Sequence, residues 1–196
     1  MIKMVKLDTN RIIGFYATQN YGKTYGMSKI VQEYAKRMNT FIFDTNFERL
    51  TAYPQNIKNI SFIKAKNPTM QENPKFLNDS LLYIRSNYES PYLIVIEDLD
   101  KMITVNIRTE ENKEIYKLAS DSRHQRIAMM YATKEPVNIP VKLRSNTNLF
   151  FFGSFQEPNH VKTISNFIDK KQLKAIKKPE FIMLDRYTNT TEKITF

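Results

Sequence analysis

The stretch from Arg11 to Thr24 constrains the fold of this chain most strongly, because it joins a short apolar run to a pattern that binds phosphate. Residues 11–16 read RIIGFY, which predicts a buried strand. Residues 17–24 read ATQNYGKT and match the P-loop pattern, with Ala17 in place of the first glycine. Residues 25–38 are predicted to continue as a helix. A chance Gly-Lys-Thr in a turn is the alternative, and the flanking strand and helix argue against it.

The residues of this loop predict a nucleotide site that takes ATP and Mg²⁺. Successive backbone N–H groups and the helix N-terminus attract phosphate, and Lys23 reaches the β- and γ-phosphate oxygens. The Thr24 hydroxyl ligates Mg²⁺, and Gly22 is the least replaceable residue because the backbone approaches phosphate there. Ala17 fits the loop if its φ is negative. The predicted nucleotide-binding residues are Ala17, Thr18, Gln19, Asn20, Tyr21, Gly22, Lys23, Thr24 and Tyr25.

Length and charge restrict the class of protein. The chain has 196 residues, which suits one domain with a real core and is short for two. We therefore expect a single domain over residues 1–196, with the motifs in 11–155 and a C-terminal helix and hairpin in 156–196. Lys and Arg exceed Asp and Glu by 30 to 20, so the surface either attracts polyanions or is simply a solvated basic face.

Several site classes are disfavoured by what the sequence lacks. It contains no cysteine, which removes disulfides and thiolate metal ligands, and its two histidines, His124 and His160, are too far apart to suggest a zinc site. No apolar run approaches the roughly 20 residues that span a bilayer, and residues 1–6 lack an apolar signal segment. We expect a soluble intracellular protein without a membrane span.

Further apolar runs predict an additional-strand (ASCE) P-loop sheet in an α/β, three-layer fold. The predicted strands are residues 40–44, 59–65, 92–96, 127–133 and 149–153, with an extra edge strand possible in 1–10. The predicted helices are residues 75–88, 114–124 and 157–168. Residues 66–75 and 104–114 are predicted loops, 139–146 an exposed connection, and 181–196 a C-terminal β-hairpin beside the mainly parallel sheet.

The run from Tyr92 to Ile96 ends in acids, as expected of the Walker B strand that P-loop NTPases need. One acid there holds a magnesium-bound water and its neighbour polarises the attacking water. The order of the residues assigns Glu97 to the magnesium side and Asp98 to the water side. A shift by one residue, with Asp98 on magnesium and Asp100 further out, stays open. A buried strand with a solvated acidic turn is the plain alternative.

The order of the motifs resembles that of a known group of proteins. After the P-loop, a strand ending in Asp44 and the Walker B run come Ser122-Arg123-His124-Gln125, Ala132-Thr133 with Pro136, Ile139-Pro140, Leu143-Arg144-Ser145-Asn146 and an aromatic run at 149–153. This order, over most of residues 11–155, resembles the FtsK–HerA superfamily of DNA-translocating ATPases. Within it, the small size and the Ser-Arg-His-Gln element resemble genome-packaging ATPases of poxviruses and archaeal turreted icosahedral viruses.

The resemblance implies a function and partners. It implies a RecA-like sheet, a hexameric or pentameric ring of identical subunits, and double-stranded DNA threaded through the pore as ATP is hydrolysed. It further implies viral genome packaging into a capsid in the host cytoplasm, with association with the virion and with capsid vertex or membrane proteins.

The resemblance also implies further site residues. The family has Gln or Asn in its sensor strand where this chain has Lys134, so Thr133 and Lys134 are both sensor candidates. An arginine finger from the next subunit stabilises charge on the transferred phosphoryl group. Arg144 and Arg123 match family segments, and Arg126 is a further candidate. The family usually has Gly at the Ala17 position and Asp-Asp or Asp-Glu in place of Glu97-Asp98.

A basic run lies in and after the last predicted helix, and it suits either a solvated face or contacts to DNA phosphates. Its members are Lys162, Lys170, Lys171, Lys174, Lys177 and Lys178.

Two other classes of protein fit the P-loop. A small-molecule P-loop kinase would need an arginine-rich lid, whereas residues 104–114 contain only Arg108. A nucleotide-binding assembly or adaptor protein with little hydrolysis would fit the altered first glycine and the Glu-Asp order. Stimulation of ATP hydrolysis by DNA would distinguish a DNA-translocating ATPase from these two classes.

Overall fold

The computed structural model describes residues 9–44, 51–64, 72–104 and 110–196. The strands in these ranges are β1 (Ile12–Tyr16), β2 (Asn39–Asp44), β3 (Ile60–Lys64), β4 (Tyr92–Ile96), β5 (Ile127–Thr133), β6 (Leu149–Phe152), β7 (Glu180–Asp185) and β8 (Thr190–Thr195). The helices in the same ranges are α1 (Lys23–Tyr34), α2 (Asn73–Asn87), α3 (Leu99–Met102), α4 (Lys113–Gln125), α5 (Val141–Asn146), α6 (Pro158–Ile164) and α7 (Lys170–Ala175).

The strands of the described residues form one sheet in the order β3-β2-β4-β5-β1-β6-β7-β8. The pairs from β3 to β6 are parallel, and β7 and β8 add an antiparallel hairpin at one edge. Every residue of β1, β4, β5 and β6 is buried, as expected of central parallel strands covered on both faces. The predicted α/β fold with a mainly parallel sheet and a C-terminal hairpin is confirmed.

Aromatic packing holds α1, the helix that follows the P-loop, close to the sheet. Phe15 of β1 stacks on Phe151 of β6 with ring centroids 4.4 Å apart, and Phe196 packs against both rings. A Cβ at Gly26 of α1 would lie 2.8 Å from the Phe196 ring and 2.9 Å from Phe15. Glycine is therefore needed at position 26 for the helix to approach the sheet this closely.

A buried chain of hydroxyl groups joins the elements that carry the site. The hydroxyls of Tyr16 in β1 and Tyr131 in β5 are 2.6 Å apart, and Tyr131 lies 2.8 Å from the Thr147 hydroxyl just after α5. Burial raises the pKa of Tyr131 to about 12, so it acts as a neutral hydrogen-bonding group. Thr147 in turn donates to the Leu143 carbonyl at 2.8 Å. The network ties the P-loop strand to the strand and helix on its flank.

The short helices differ from the prediction. Residues 139–146 were expected to form an exposed connection, but α5 forms there because Ile139 and Leu143 are buried and anchor it. Neither α3 nor α7 was predicted, since each spans fewer than two turns and shows too few apolar positions for a periodic signal. Helix α1 begins at Lys23, before the predicted start, and α6 ends at Ile164, before the predicted end at 168.

Some predictions fall on parts of the chain that are not described. The proposed edge strand in 1–10 lies mostly outside the described residues, as do most of the predicted loop at 66–75 and the middle of the loop at 104–114. None of the helices in the described ranges is both long enough and apolar enough to cross a membrane.

Candidate nucleotide-binding site

The loop between β1 and α1 has the backbone that the P-loop pattern requires. Gly22 immediately precedes α1 with φ 100°, and Asn20 also has a left-handed backbone with φ 57°. A Cβ at Gly22 would meet no atom within 4 Å, so glycine is required there by conformation rather than by space. Ala17 is not among the described residues with positive φ, which confirms the negative φ expected where the pattern has its first glycine.

Lys23 is folded back over the loop. Its Nζ donates hydrogen bonds to the carbonyls of Ala17 and Thr18, both at 2.8 Å, and only 8% of the residue is exposed. Within the described residues no side chain caps the first turn of α1, so the backbone N–H groups at the helix start are suited to an anion. The Lys23 ammonium thus lies against the first residues of the loop, and the helix begins at the last.

A cavity of about 420 Å³ opens beside this loop and brings several predicted residues together. Asp98, Lys134 and most of the P-loop line it. Its lining among the described residues is Gln19, Asn20, Tyr21, Gly22, Lys23, Thr24, Ala52, Asp98, Lys101 and Lys134. Three predicted loop residues lie elsewhere. Ala17 is buried, Thr18 lines a neighbouring cavity, and Tyr25 is 53% exposed.

The two Walker B acids have different surroundings. Glu97 is fully buried, its N–H donates to the Phe43 carbonyl at 2.9 Å, and its Oε1 accepts a hydrogen bond from the Tyr53 hydroxyl at 2.5 Å. Asp98 has a left-handed backbone with φ 44°, which turns the chain after the strand, and it is the acid that lines the cavity. Which acid serves magnesium and which serves water stays a prediction.

The two sensor candidates also separate. The Thr133 hydroxyl donates to Asp100 Oδ1 at 2.8 Å and accepts from the Glu135 N–H at 3.0 Å, so it is engaged by α3 and the following loop. Burial raises the pKa of Asp100, and the hydrogen bond from Thr133 opposes that rise. Lys134 lines the cavity, whereas Thr133 is not among its described lining residues.

The three candidate arginine fingers lie on or next to α4 and α5. Arg144 on α5 donates from Nη1 to the Pro136 carbonyl at 3.5 Å, and Arg126 is exposed at the end of α4 with φ 55°. Arg123 belongs to α4, and its side chain is outside the described part of the structure. Neither Arg144 nor Arg126 lines the cavity.

Two features of the site were missed by sequence reasoning. Lys101 lines the cavity, and its Nζ lies 3.0 Å from Asp98 Oδ2. Tyr53 donates a hydrogen bond to Glu97. The segment that carries Tyr53 is held to α1, because the Ser28 hydroxyl donates to the Ala52 carbonyl at 2.8 Å. The only sequence signal for the position of Lys101 was its spacing of three residues after Asp98. No local signal indicated that Tyr53 would contact Glu97.

A second cavity of about 420 Å³ adjoins the first and shares Gln19 and Lys134 with it. His160 lies in its wall, 3.5 Å from a Glu157 carboxylate oxygen and packed against Phe155. The remaining lining residues are Thr18, Glu135 and Gln156. The two cavities together extend the candidate site from α3 to the start of α6.

Gly153 limits the position of the P-loop, which leads to a prediction. A Cβ at Gly153 would lie 2.6 Å from the Ala17 Cβ and 2.6 Å from two atoms of the Tyr21 ring. Gly153→Ala is therefore expected to displace the loop and weaken ATPγS binding at least about fivefold, since overpacking costs about 1–3 kcal/mol. Calorimetric titration measures this affinity.

The double variant Gly153→Ala/Ala17→Gly is the matched control. It removes one of the two close contacts and should recover part of the lost affinity, while thermal unfolding checks that both variants fold. An unchanged ATPγS affinity in Gly153→Ala would show that the loop accommodates the added methyl group without losing nucleotide binding, which would contradict the prediction.

Solved structures with the same arrangement of elements are P-loop ATPases. The DNA-packaging ATPase B204 from Sulfolobus Turreted Icosahedral Virus aligns with a TM-score of 0.73 and 17% identity, covering 95% of this chain and 98% of that chain. The genome packaging NTPase B204 from Sulfolobus turreted icosahedral virus 2, in complex with ATPγS, aligns with a TM-score of 0.72 and 15% identity over 95% and 98% of the two chains. This chain has the P-loop ATPase fold.

The same P-loop ATPase fold extends to larger proteins. EssC (ATPases 2 and 3) from Geobacillus thermodenitrificans aligns with a TM-score of 0.66 and 13% identity, covering 95% of this chain and 39% of that chain. Comparison of the sequence with family models and with curated proteins finds no match. The structural similarity confirms, at the level of the fold, the resemblance that the order of the motifs indicated.

Proposed function

We propose that this chain is an ATPase motor that moves double-stranded DNA, and that it packages a viral genome into a capsid. The observation that carries the proposal is the cavity in which Lys23, Asp98 and Lys134 meet beside the P-loop. It lies beyond the carboxyl ends of the parallel strands, where open α/β sheets bind ligands. The shared fold with proteins described as DNA-packaging ATPases supports the choice of motor over other P-loop classes.

The residues present fit Mg²⁺ and ATP. Gly22, Lys23 and the start of α1 offer backbone donors and a cation to phosphate, while Thr24 and an acid of the pair Glu97-Asp98 offer the oxygen ligands that Mg²⁺ prefers. When bound, Mg²⁺ would neutralise charge on the phosphates. Within the described residues no group of three or more His, Asp or Glu side chains could hold a metal. This suits an ion that relies on phosphate and water ligands.

We assign DNA contact to the basic run around α7. All its lysines are exposed, and the chain carries a net charge of +10, so this surface can track phosphates without reading bases. The members of the basic run are Lys162, Lys170, Lys171, Lys174, Lys177 and Lys178.

The site is proposed to be completed in a ring. Arg144 or Arg123 of one copy would reach the phosphates of the next. For Arg144 this is supported by its absence from the described lining of the cavity in its own chain and by its hydrogen bond to the Pro136 carbonyl. Lys134 is the proposed sensor, with Thr133 supporting the turn. We propose that residues 1–196 form one domain, that the ring is hexameric or pentameric, and that the motor works in the host cytoplasm or on the virion with capsid vertex or membrane proteins.

The test is steady-state ATP hydrolysis with and without double-stranded DNA at low and moderate salt. DNA is expected to raise the rate, and the stimulation should fall with salt because phosphate contacts release counterions. Replacing Lys170, Lys171 and Lys174 by Gln should lower the log–log salt slope of DNA binding by up to about 3, roughly 0.9 for each lost contact.

A charge-matched control uses three exposed lysines that each pair with a nearby acid, namely Lys36, Lys75 and Lys113. Their replacement by Gln removes the same charge and should leave the slope nearly unchanged. Nucleotide binding without hydrolysis under any of these conditions would favour the adaptor class. Phosphate transfer to a specific small acceptor would favour a kinase.

A further inference from the structure

Lys101 is a second cation at the phosphate end of the cavity. It lies on α3, three residues after Asp98, and its side chain lines the same cavity as the P-loop. Its Nζ is 3.0 Å from Asp98 Oδ2, and the side chain remains 27% exposed while that of Asp98 is 3% exposed. The buried acid and the partly exposed ammonium therefore form a pair whose open end faces the cavity.

The backbone that carries Lys101 is firmly placed. Leu99 and Met102 on the same short helix are fully buried, and the Lys101 N–H donates to the Asp98 carbonyl at 2.8 Å. The Asn73 side chain of α2 donates to the Lys101 carbonyl at 3.3 Å. Because α3 is anchored on both sides, only the four-carbon stem of Lys101 is left to adjust when an anion enters.

The charge of the cavity supports a role for this lysine beyond pairing. Among the described residues, its lining includes three lysines, Lys23, Lys101 and Lys134, against one carboxylate, that of Asp98. A single acid cannot neutralise three cations, and a lysine ammonium carries three donors. The Lys101 ammonium can therefore keep its ion pair with Asp98 and still donate to a phosphate oxygen.

We infer that Lys101 binds the terminal phosphate of ATP as a cation supplied by the same chain, an assignment that rests on the proposed function. The sequence had offered Lys134 of the same chain and an arginine of a neighbouring copy as further cations, but not Lys101. Since ADP lacks the terminal phosphate, Lys101 should favour the binding of ATP over ADP. Its ion pair with Asp98 couples this preference to the acid beside the P-loop.

The test compares the binding of ATPγS and ADP by calorimetry, with Mg²⁺ present and no turnover required. Lys101→Met should weaken ATPγS binding roughly 10- to 100-fold more than ADP binding, as expected for a lost charged hydrogen bond. Lys101→Arg should retain most of the preference for ATPγS. Lys36→Met is the matched control, because Lys36 also pairs with an acid three residues away, at 2.6 Å, but lies outside the cavity lining.

A double variant separates phosphate binding from simple repulsion by an uncompensated Asp98. Lys101→Met/Asp98→Asn should regain affinity for ADP yet still lack the preference for ATPγS. Equal losses for the two nucleotides in Lys101→Met, or no loss at all, would overturn the inference while leaving the proposed function intact. If the unaltered protein bound neither nucleotide, the proposed function itself would fail.

Discussion

Lys23→Ala is expected to lower the ATP hydrolysis rate by about 10²- to 10³-fold, comparable to the loss of a preorganised donor to transition-state charge. The affinity for ATP should fall by roughly tenfold or more, because a charged hydrogen bond contributes about 1.5–3 kcal/mol. The effect is large since Lys23 is the cation that the loop itself holds, through the carbonyls of Ala17 and Thr18 at 2.8 Å. Alanine also removes the donor to those two carbonyls, so the loop loses an internal support.

Steady-state hydrolysis and ATPγS titration measure the two effects separately. Lys36→Ala serves as the control, since its exposed ion pair with Glu33 should matter little to either measurement. Hydrolysis that persists at the original rate in Lys23→Ala would mean that residues 17–24 are a chance pattern, and the nucleotide site would have to be sought elsewhere.

Asp98→Asn is expected to keep nucleotide binding and to lower hydrolysis by about 10²- to 10⁴-fold, the range for a lost general base or water-orienting group. The amide keeps the size of the side chain and can still face the cavity, but it cannot polarise water as a carboxylate does. The matched variant is Glu97→Gln, in which the side-chain carbonyl can still accept the hydrogen bond from Tyr53. If Glu97 serves magnesium, that variant should lose the strengthening of nucleotide binding by Mg²⁺.

The pair of variants decides the register of the two acids. Each is titrated with ATPγS with and without Mg²⁺, and its hydrolysis rate is measured at saturating ATP. Normal hydrolysis by Asp98→Asn would contradict the assigned register. Loss of magnesium dependence in Asp98→Asn rather than Glu97→Gln would support the shift that puts Asp98 on magnesium and Asp100 further out. Asp100 is half-buried and accepts a hydrogen bond from Thr133, so Asp100→Asn tests the outer position of that shifted register.

Much of the fold could be predicted because its signals are local. Each buried strand of the parallel sheet is a continuous apolar run, and the acids after β4 and the glycine before α1 mark where runs end. The terminal hairpin alternates and turns within a short segment. Short helices escaped prediction, since α3 and α7 take their stability from contacts with the rest of the molecule rather than from a periodic pattern of their own.

The sequence by itself indicated the P-loop with Lys23, the strand that ends in Glu97 and Asp98, and a mainly parallel sheet. These features could be predicted because each depends on residues that are neighbours in the chain. Only the tertiary structure decided that Asp98 rather than Glu97 lines the cavity, that Lys101 joins it, and that Gly153 makes room for Ala17. Those outcomes depend on where a left-handed turn at Asp98 aims its side chain and on distances between segments far apart in the chain. Neither quantity is carried by local patterns, because the packing of the whole molecule sets both.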